Sequence, residues 1–266
     1  MHASIAVRPA APYLGGKRNL AKRICALVET IPHTGYYEPF VGMGGIFLRR
    51  ASKPRAEAIN DISGDVATFF RVLQEHYPYL IDMLRWRVAS RAEFNRLLAL
   101  PADRLTDLQR AVRFLYLQRL AFGGKVEGRT FGVSAQAPSR FDVGRLEPML
   151  ADIHERLAGV VIEQLPYADF IRRYDHDGAL FYLDPPYWDC ETDYGAGVFA
   201  RADFERLAEQ LAGIRGRFVL SINDTPGARE VFARFAIDAI ETTYTISTAA
   251  QCAGELVITS AGFGSG

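Results

Sequence analysis

Apolar residues in the first sixty positions change from helical to extended spacing along the chain. A helical repeat of apolar positions predicts a helix over residues 16–30. The run YYEPFV then predicts a strand at 36–41, GMGG a turn, IFLRRA a helix start, and AEAIND a second strand at 56–61. This order is typical of the opening of a parallel α/β sheet. The helical repeat consists of Leu20, Ile24, Leu27 and Val28.

The middle of the chain has a different pattern. Residues 64–120 show helical spacing throughout, and the spacing is clearest in AVRFLYLQRLAF, at 111–122. Residues 123–145 are rich in glycine and polar side chains, which predicts a loop or a small hairpin. A helical block therefore interrupts the segments that build the sheet.

Extended segments return in the second half, separated by helical ones. The predicted strands lie at 160–165, 179–184 and 217–224, with shorter extended segments near 240–247 and 255–260. The predicted helices lie at 146–158, 167–174, 201–213 and 226–235. We therefore expect one mostly parallel sheet with an antiparallel strand near the C-terminus.

The composition is that of an ordinary folded protein, but the charge is unevenly distributed. The 266 residues are 49% hydrophobic and 23% charged, with a formal net charge of +0. Residues 85–149 carry twelve Lys or Arg and six Asp or Glu, so this window has a net charge of +6 and the remainder −6. A basic module that faces a polyanion would show this distribution, and so would arginine-coated helices in water. Charge alone leaves both interpretations open.

The cysteines and the apolar segments exclude several classes of protein. Cys25, Cys190 and Cys252 are far apart and form no CxxC pair, which argues against a zinc site and a disulfide framework. No run of about 18 apolar residues is present, and the first residues lack the apolar core of a secretory signal. We expect a cytoplasmic protein that does not span a membrane.

A glycine turn and an aspartate predict a nucleotide-type ligand site. The segment EPFVGMGG, at 38–45, lies between a predicted strand and a predicted helix, where glycines let the backbone approach a ligand. Asp61 ends the next predicted strand, where an acidic residue bonds ribose hydroxyls in nucleotide-binding α/β folds. The glycines do not follow G-x-G-x-x-G, which disfavours a dinucleotide. A glycine-rich turn beside a solvent-exposed aspartate remains the alternative.

The segment FYLDPPYWD, at 181–189, ends a predicted buried strand in a carboxylate, two prolines and two aromatic rings. Because proline has no N–H, the carbonyls before it are free to accept hydrogen bonds from a ligand. Asp184 and one such carbonyl can accept both hydrogens of an exocyclic amine, while Tyr187 stacks on the ring that carries it. The tetrahedral amine favoured in this way can attack an electrophilic methyl group. Such catalysis depends on positioning and electrostatics.

Several segments, in this order, resemble the Dam family of DNA adenine N6-methyltransferases (D12 class, alpha group), and especially its phage and prophage members. PYLGGKR (12–18) resembles the N-terminal cofactor motif, EPFVGMGGIF (38–47) the S-adenosylmethionine loop, and NDIS (60–63) the acidic second-strand motif. RAVRFLYLQRLAFGG (110–124) resembles the start of the DNA-reading region, and DPPY (184–187) the catalytic motif. LSINDT (220–225) and GELVITS (254–260) resemble the last sheet segments, so the resemblance extends over most of the chain.

The resemblance implies roles for individual residues. The implied cofactor-binding residues are Tyr13, Lys17, Phe40, Gly42, Gly44, Asp61, Asp169 and Asp184. The implied catalytic residues, which would hold a flipped-out adenine, are Asp184, Pro185, Pro186 and Tyr187. Among the cofactor-binding residues, Asp61 would hold the ribose and Asp169 would lie by the cofactor adenine. The plain alternatives are an ordinary helix lysine at Lys17 and a core-packing ring at Tyr187.

The DNA-reading region departs from the GATC-reading members of the family. The implied DNA-binding residues are Arg119, Phe122, Lys125 and Arg129. After AFGG, at 121–124, the GATC-reading members carry a longer stretch with a leucine and an arginine at the base-contacting positions. Lys125 and Glu127 fill those positions here, which predicts a relaxed or altered target. The cationic side chains suit the phosphate backbone, and Phe122 suits stacking where a base leaves the duplex.

The resemblance implies an α/β, Rossmann-like S-adenosylmethionine-dependent methyltransferase fold with an inserted helical DNA-recognition domain. The catalytic domain would comprise residues 1–68 and 146–266, and the insert residues 69–145. The expected reaction transfers the methyl group of S-adenosylmethionine to adenine N6 in double-stranded DNA, leaves S-adenosylhomocysteine and needs no metal. RNA adenine methylation, cytosine N4 methylation and a DNA-binding protein with a vestigial cofactor pocket are the alternatives.

The expected setting follows from the same resemblance. We expect a monomer or weak dimer in the cytoplasm of a bacterial or phage-infected cell. A solitary modification enzyme that protects phage DNA and a member of a restriction–modification pair are both compatible with the sequence.

Overall fold

The computed structural model describes residues 2–13, 17, 20–132, 136–195, 197–246 and 249–260, and shows a mixed α/β fold. The strands are β1 (His2–Ala3), β2 (Gly35–Glu38), β3 (Ser52–Lys53), β4 (Ala56–Asn60), β5 (Val161–Glu163), β6 (Ala179–Leu183), β7 (Arg217–Asn223), β8 (Ala236–Ile246) and β9 (Ala249–Thr259). The helices are α1 (Ala21–Thr30), α2 (Gly64–Glu75), α3 (Tyr77–Arg85), α4 (Arg91–Ala99), α5 (Asp107–Leu120), α6 (Val143–Arg156), α7 (Tyr167–Tyr174), α8 (Arg201–Ala212) and α9 (Pro226–Val231). Within this described part, no helix is long and apolar enough to cross a lipid bilayer.

Seven strands form one sheet in the order β5-β4-β2-β6-β7-β9-β8. The pairs from β5 to β7 are parallel, whereas β9 runs antiparallel to both of its neighbours. The predicted parallel sheet with an antiparallel strand near the C-terminus is therefore confirmed. The chain begins this sheet at β2, adds β4 and β5 on one side, and then returns to place β6 on the other side of β2. Ligands of open α/β sheets bind at such a reversal, beyond the carboxyl ends of the strands.

Two predicted elements differ from the structure. The helix start predicted in IFLRRA is only a 3₁₀ turn, Phe47–Arg49, because the chain extends at Arg50, whose buried guanidinium pairs with Glu57 at 2.9 Å. The extended segments predicted near 240–247 and 255–260 overlap two eleven-residue strands, β8 and β9, which pair along their whole length; residue 247 lies outside the described residues. Backbone pairing between them extends the strands well beyond the apolar segments that the pattern identified.

The helical block packs onto the sheet in a shared hydrophobic core. Helix α5 begins with a reciprocal capping box between Thr106 and Gln109, and most of its side chains are buried. One apolar cluster contains Ile24 of α1, Tyr36 of β2 and Leu97 of α4, together with residues of α5 and α6. The block is thus joined to the body by apolar packing. Its role as a separate recognition domain, with bounds at 69–145, stays a prediction.

A buried ionic cluster fastens α6 to the sheet. Glu57, in β4, accepts hydrogen bonds from Arg50 at 2.9 Å and from Arg156, near the end of α6, at 2.7 and 2.8 Å. All three side chains are almost completely buried, so each charge depends on its partners for solvation. The helix that follows the block in the sequence is held to β4 by this cluster.

Replacement of Leu97 by alanine should destabilise the protein more than the same change at the neighbouring Leu98. Leu97 is 3% exposed in the shared core, whereas Leu98 is 38% exposed. A buried leucine-to-alanine change costs about 2–5 kcal/mol of unfolding free energy, and an exposed one costs about 0.5 kcal/mol or less. Urea unfolding followed by circular dichroism measures both variants. Equal midpoints for the two variants would contradict the shared core.

Candidate active site

Asp184 lies at the carboxyl end of β6, beside the reversal in strand order. The five residues of β6 are buried, and the chain then passes directly into Asp184, Pro185 and Pro186. The Asp184 Oδ1 atom lies 3.1 Å from Lys17 Nζ and accepts a hydrogen bond from Ser221 Oγ, on β7, at 3.4 Å. No hydrogen bond to Oδ2 occurs within the described residues. The side chain is 20% exposed and contributes to the wall of a cavity.

Lys17 binds three groups from distant parts of the chain. Its ammonium group is almost completely buried and lies 3.1 Å from Glu255 Oε2 as well as 3.1 Å from Asp184 Oδ1. It donates a hydrogen bond to the Tyr187 hydroxyl at 2.6 Å and lies 4.2 Å from the centre of that ring. The Tyr187 hydroxyl in turn donates to Glu255 Oε1. We call Lys17, Asp184, Tyr187 and Glu255 the lysine cluster.

The segment after Asp184 is fixed by a side chain of the next strand. Asn223, at the end of β7, accepts a hydrogen bond from Trp188 N at 2.8 Å and donates one to Trp188 O at 3.0 Å. This paired contact holds the backbone just beyond Tyr187. The two prolines restrict φ between Asp184 and Tyr187, so the segment is constrained at both ends.

The glycine turn after β2 is joined to Asp61. Gly42 has φ +51°, and its N–H donates to Asp61 Oδ2 at 2.9 Å. The other carboxylate oxygen accepts from Ser63 N at 2.9 Å. A Cβ atom on Gly42 would lie 3.0 Å from the Tyr13 ring, so glycine is required both for the positive φ and for the close approach of the ring.

One cavity of about 1030 Å³ connects the glycine turn to Asp184. Its volume is in the range of small-molecule sites, and its wall combines apolar and aromatic groups with a few carboxylates. The predicted site residues that line it are Tyr13, Lys17, Phe40, Gly42, Asp61, Arg119, Asp184 and Pro186. Aromatic residues that the sequence did not identify, Tyr167, Tyr194 and Phe199, also line it. Phe40 packs against Tyr167 and Phe199, with ring centres 5.5 and 6.1 Å away.

Burial shifts the acidity of both cavity aspartates in the same direction. It raises the pKa of Asp184 to about 6, although the charge of Lys17 opposes this shift and that of Glu255 adds to it. Burial also raises the pKa of Asp61 to about 6, against the stabilising backbone N–H groups of Ser63 and Gly42. Perturbed carboxylates in a cleft are typical of functional sites, because function requires a charge where its solvation is poor.

Two of the implied cofactor-binding residues, Gly44 and Asp169, are not part of the cavity wall. Gly44 is buried beneath the turn, where a Cβ atom would meet the Leu48 side chain at 2.8 Å. Its positive φ, +75°, serves the tight turn itself. Asp169 lies in the first turn of α7 and pairs with Arg172 at 2.8 Å on the surface. Their contact with the cofactor stays a prediction, because neither residue is part of the cavity wall.

Other polar residues that position the site could not be identified from motifs. Asn60, buried at the end of β4, donates to Pro39 O at 2.9 Å and to Leu165 O at 3.0 Å, and it accepts from Leu165 N. This one side chain joins the ends of β2, β4 and β5 at the cavity rim. Glu255 lies in the apolar strand segment GELVITS and is buried. A single carboxylate within an apolar strand was the only sequence feature that could have indicated a buried, paired charge there.

The four implied DNA-binding residues have two different environments. Phe122 is 62% exposed and Lys125 is exposed, so both face solvent at a loop that begins after α5. Arg119 donates to the carbonyls of Ala10 and Arg140, and Arg129 donates to Lys125 O and to Gln118 Oε1. These two guanidinium groups hold the loop in place. Contact of any of the four with DNA stays a prediction.

Gln118 joins this loop to the segment that carries Tyr13. Its buried amide donates to Pro12 O at 2.9 Å and to Gly124 O at 2.7 Å. Gly124 has φ +69°, and a Cβ atom there would lie 3.1 and 3.2 Å from backbone atoms of Pro12 and Tyr13. The loop that follows α5 therefore packs directly on the wall of the cavity. We call Gln118, Gly124 and Pro12 the glutamine junction.

Curated relatives match the chain over most of its length. It is 28% identical to the Type II methyltransferase M1.LlaDCHI of Lactococcus lactis subsp. cremoris, over 97% of each chain. It is 25% identical to the DNA adenine methylase of Escherichia coli strain K12, over 87% of this chain and 84% of the relative. A DNA N-6-adenine-methyltransferase of Escherichia phage P1 is 26% identical over 73% of this chain and 27% of the relative.

The model of one protein family matches residues 13–246. This range includes the glycine turn, Asp61 and three members of the lysine cluster, Lys17, Asp184 and Tyr187. That family is described as D12 class N6 adenine-specific DNA methyltransferase. The match favours DNA over RNA and adenine N6 over cytosine N4, and it supports an enzyme that uses S-adenosylmethionine. The chain belongs to the D12 class of N6 adenine-specific DNA methyltransferases.

Proposed function

We propose that Asp184, with the Pro185–Pro186 backbone and Tyr187, holds a flipped-out adenine in front of the methyl group of S-adenosylmethionine. The observation that carries this proposal is the position of Asp184. Its carboxylate is held at Oδ1 by Lys17 and Ser221, and it lines the same cavity as Gly42 and Asp61. A base amine and a cofactor can therefore meet within one space. Because a duplex cannot enter a cavity of this size, the target adenine must leave the base stack to reach Asp184.

The residues of the cavity fit S-adenosylmethionine. The cofactor carries two cationic groups and one carboxylate, and the wall offers partners of both signs. Its carboxylates are Asp61, Asp184 and Asp203, and its basic side chains are Arg8, Lys17, Arg49, Arg119 and Arg206. Gly42 leaves room for a group beside the Tyr13 ring that a Cβ atom would fill. Phe40 offers an aromatic surface, and Asp61 is placed for ribose hydroxyls. When bound, S-adenosylmethionine supplies an activated methyl group on its sulfonium. The expectation that no metal takes part remains a prediction.

Asp184 acts chiefly by orientation. Because Lys17 and Ser221 bind Oδ1, Oδ2 is the oxygen that accepts a hydrogen from the adenine amine. A carbonyl before one of the prolines accepts the second hydrogen, and the two acceptors localise the nitrogen lone pair. The amine hydrogen becomes acidic as the new N–C bond forms, so the carboxylate then takes it without being a strong base.

The loop after α5 meets double-stranded DNA in this proposal. Exposed Phe122 stacks where the base leaves the duplex, and exposed Lys125 contacts a phosphate. Arg119 and Arg129 support the loop through their bonds to carbonyls and to Gln118. Lys125 and Glu127 at the base-contacting positions support a relaxed or altered target, distinct from strict GATC.

The relatives support two biological settings for the enzyme. The phage P1 relative supports protection of phage DNA, and the Type II relative supports a restriction–modification pair. Both settings place the enzyme in the cytoplasm of a bacterial or phage-infected cell. A monomer or weak dimer remains the expected state.

Replacement of Asp184 by asparagine should lower the single-turnover rate of methyl transfer about 100-fold or more, because the amide removes the charged acceptor at the amine. DNA affinity should change by less than about twofold, since Asp184 does not bind the phosphates. Asp189→Asn is the matched control, because Asp189 is 72% exposed and its one ion pair among the described residues is with a surface arginine, Arg201. A rate for Asp184→Asn equal to that of the control would contradict the assigned role.

The single-turnover rate should decline as pH falls through about 6. Burial raises the pKa of Asp184 to about 6, against the opposing charge of Lys17, so the acceptor carboxylate is protonated below that pH. Saturating concentrations of cofactor and DNA are used so that the profile reports methyl transfer at Asp184 and not a change in cofactor binding through Asp61. A quench-flow series from pH 5 to 8 measures the decline. A flat profile across that range would show that ionised Asp184 is not needed.

Methylation of unmethylated genomic DNA, mapped by single-molecule sequencing, should return N6-methyladenine at sites other than GATC. The reason is the replacement of the expected leucine and arginine by Lys125 and Glu127. Methylation restricted to GATC would refute the altered target.

Replacement of Lys125 by alanine should weaken DNA binding by a similar factor on all sequences if that side chain contacts a phosphate. The salt dependence of the DNA affinity should then become less steep.

A further inference from the structure

Glu255 is a buried carboxylate that the proposed reaction does not use directly. It is 1% exposed, lies on β9, and pairs in register with Asn223 of β7. It is not part of the cavity wall. A carboxylate in the middle of a sheet loses its hydration and depends on close partners to remain charged. Its partners include two members of the lysine cluster, Lys17 at 3.1 Å and the Tyr187 hydroxyl.

The lysine cluster contains two carboxylates and one ammonium group. Lys17 Nζ lies 3.1 Å from an oxygen of each carboxylate, so its charge is shared between Asp184 and Glu255. With Glu255 neutral, the attraction of Lys17 would act on Asp184 alone. A carboxylate held more strongly by an ammonium group is a weaker hydrogen-bond acceptor for a third partner. The third partner here is the amine of the target base.

We propose that Glu255 is a positioning residue. Its carboxylate competes with Asp184 for the positive charge of Lys17, and it accepts the hydrogen bond that fixes the Tyr187 hydroxyl. Asp184 then remains a strong acceptor for the adenine amine, and the Tyr187 ring is fixed beside it. This inference rests on the proposed role of Asp184.

The other groups near Asp184 leave these charges dominant. The titratable groups that face it are Lys17, Glu38, Tyr182, Tyr187, Tyr194 and Glu255. Burial raises the pKa of Glu38 to about 8, although the hydrogen bond that the Tyr36 hydroxyl donates to it at 2.6 Å opposes this shift, so Glu38 is mostly neutral at lower pH. Burial raises the pKa of Tyr182 and of Tyr194 as well, so both remain neutral. Glu255 and Lys17 are therefore the charges that act on Asp184.

Besides burial, Lys17 and Glu255 act on the pKa of Asp184, and they act in opposite directions. Burial is the main cause that raises the pKa of Asp184, Lys17 lowers it, and Glu255 raises it further. Neutralising Glu255 removes a negative charge beside Asp184 and frees Lys17 to pair with it. Both changes move the acidic limb of the rate profile to lower pH. A role limited to packing would lower stability or rate without moving that limb.

The test is the pH profile of single-turnover methyl transfer for Glu255→Gln, measured on DNA that the unaltered enzyme methylates. We expect the acidic limb to move down by at least about 0.5 pH unit, and the plateau rate to fall by up to about tenfold. Glu163→Gln is the matched control, because Glu163 also accepts a hydrogen bond from a tyrosine, Tyr174, at 2.9 Å and lies near an arginine, Arg173. Its limb should stay where the unaltered enzyme has it.

Each outcome bears on one claim. An acidic limb that stays in place or moves upward in Glu255→Gln overturns the inference, whatever happens to the rate. If the amide prevents folding, as judged by thermal unfolding, Glu255→Asp replaces it. The shortened side chain keeps its charge but retreats from Lys17, so a smaller downward shift supports the inference and no shift overturns it. Failure of the unaltered enzyme to form N6-methyladenine would instead refute the proposed function.

Discussion

The contact between Lys17 and the two carboxylates is the interaction on which the candidate site depends. An ammonium group that is almost completely buried must be solvated by protein, and the partners of Lys17 come from β6 and β9. This requirement fixes the N-terminal segment against the carboxyl ends of the strands. Tyr13, which precedes Lys17 in that segment, then forms a wall of the cavity beside the glycine turn. One ion cluster therefore places both Asp184 and part of the cavity wall.

Much of the fold and part of the site follow from local patterns in the sequence. The parallel strands were predictable because their apolar runs are short and end in polar residues. Asp61 and Asp184 were predictable as site residues because carboxyl ends of parallel strands meet at one edge of a sheet. The placement of Gly44 and Asp169 was not, since a motif does not show which side of a turn or helix faces the ligand. Gly44 supports the turn from below, and Asp169 pairs with Arg172.

Glu255 and Asn223 show why the remaining site residues could not be predicted. They lie opposite each other because β7 and β9 pair antiparallel in one register, and a shift of one residue would turn Glu255 to the other face of the sheet. That register is set by long-range pairing, which single-sequence patterns do not encode. The basic surplus in residues 85–149 has a similar limit. Arg110 and Arg113 pair with Asp65, which lies outside that window, so part of the excess charge is balanced by the rest of the protein.

The glutamine junction bears on how recognition loops can be exchanged within this family. The loop after α5 shares buried hydrogen bonds and a close backbone contact with the segment of Pro12 and Tyr13. A loop transplanted from a relative with another target would therefore also have to fit against Pro12 and Tyr13, which line the cavity. The loop that is proposed to meet DNA and the cavity that is proposed to hold the methyl donor are thus in direct contact at this point. Diversification of the recognised sequence is then easiest at the solvent-facing positions, such as Phe122 and Lys125, where a change leaves Gln118 and Gly124 intact.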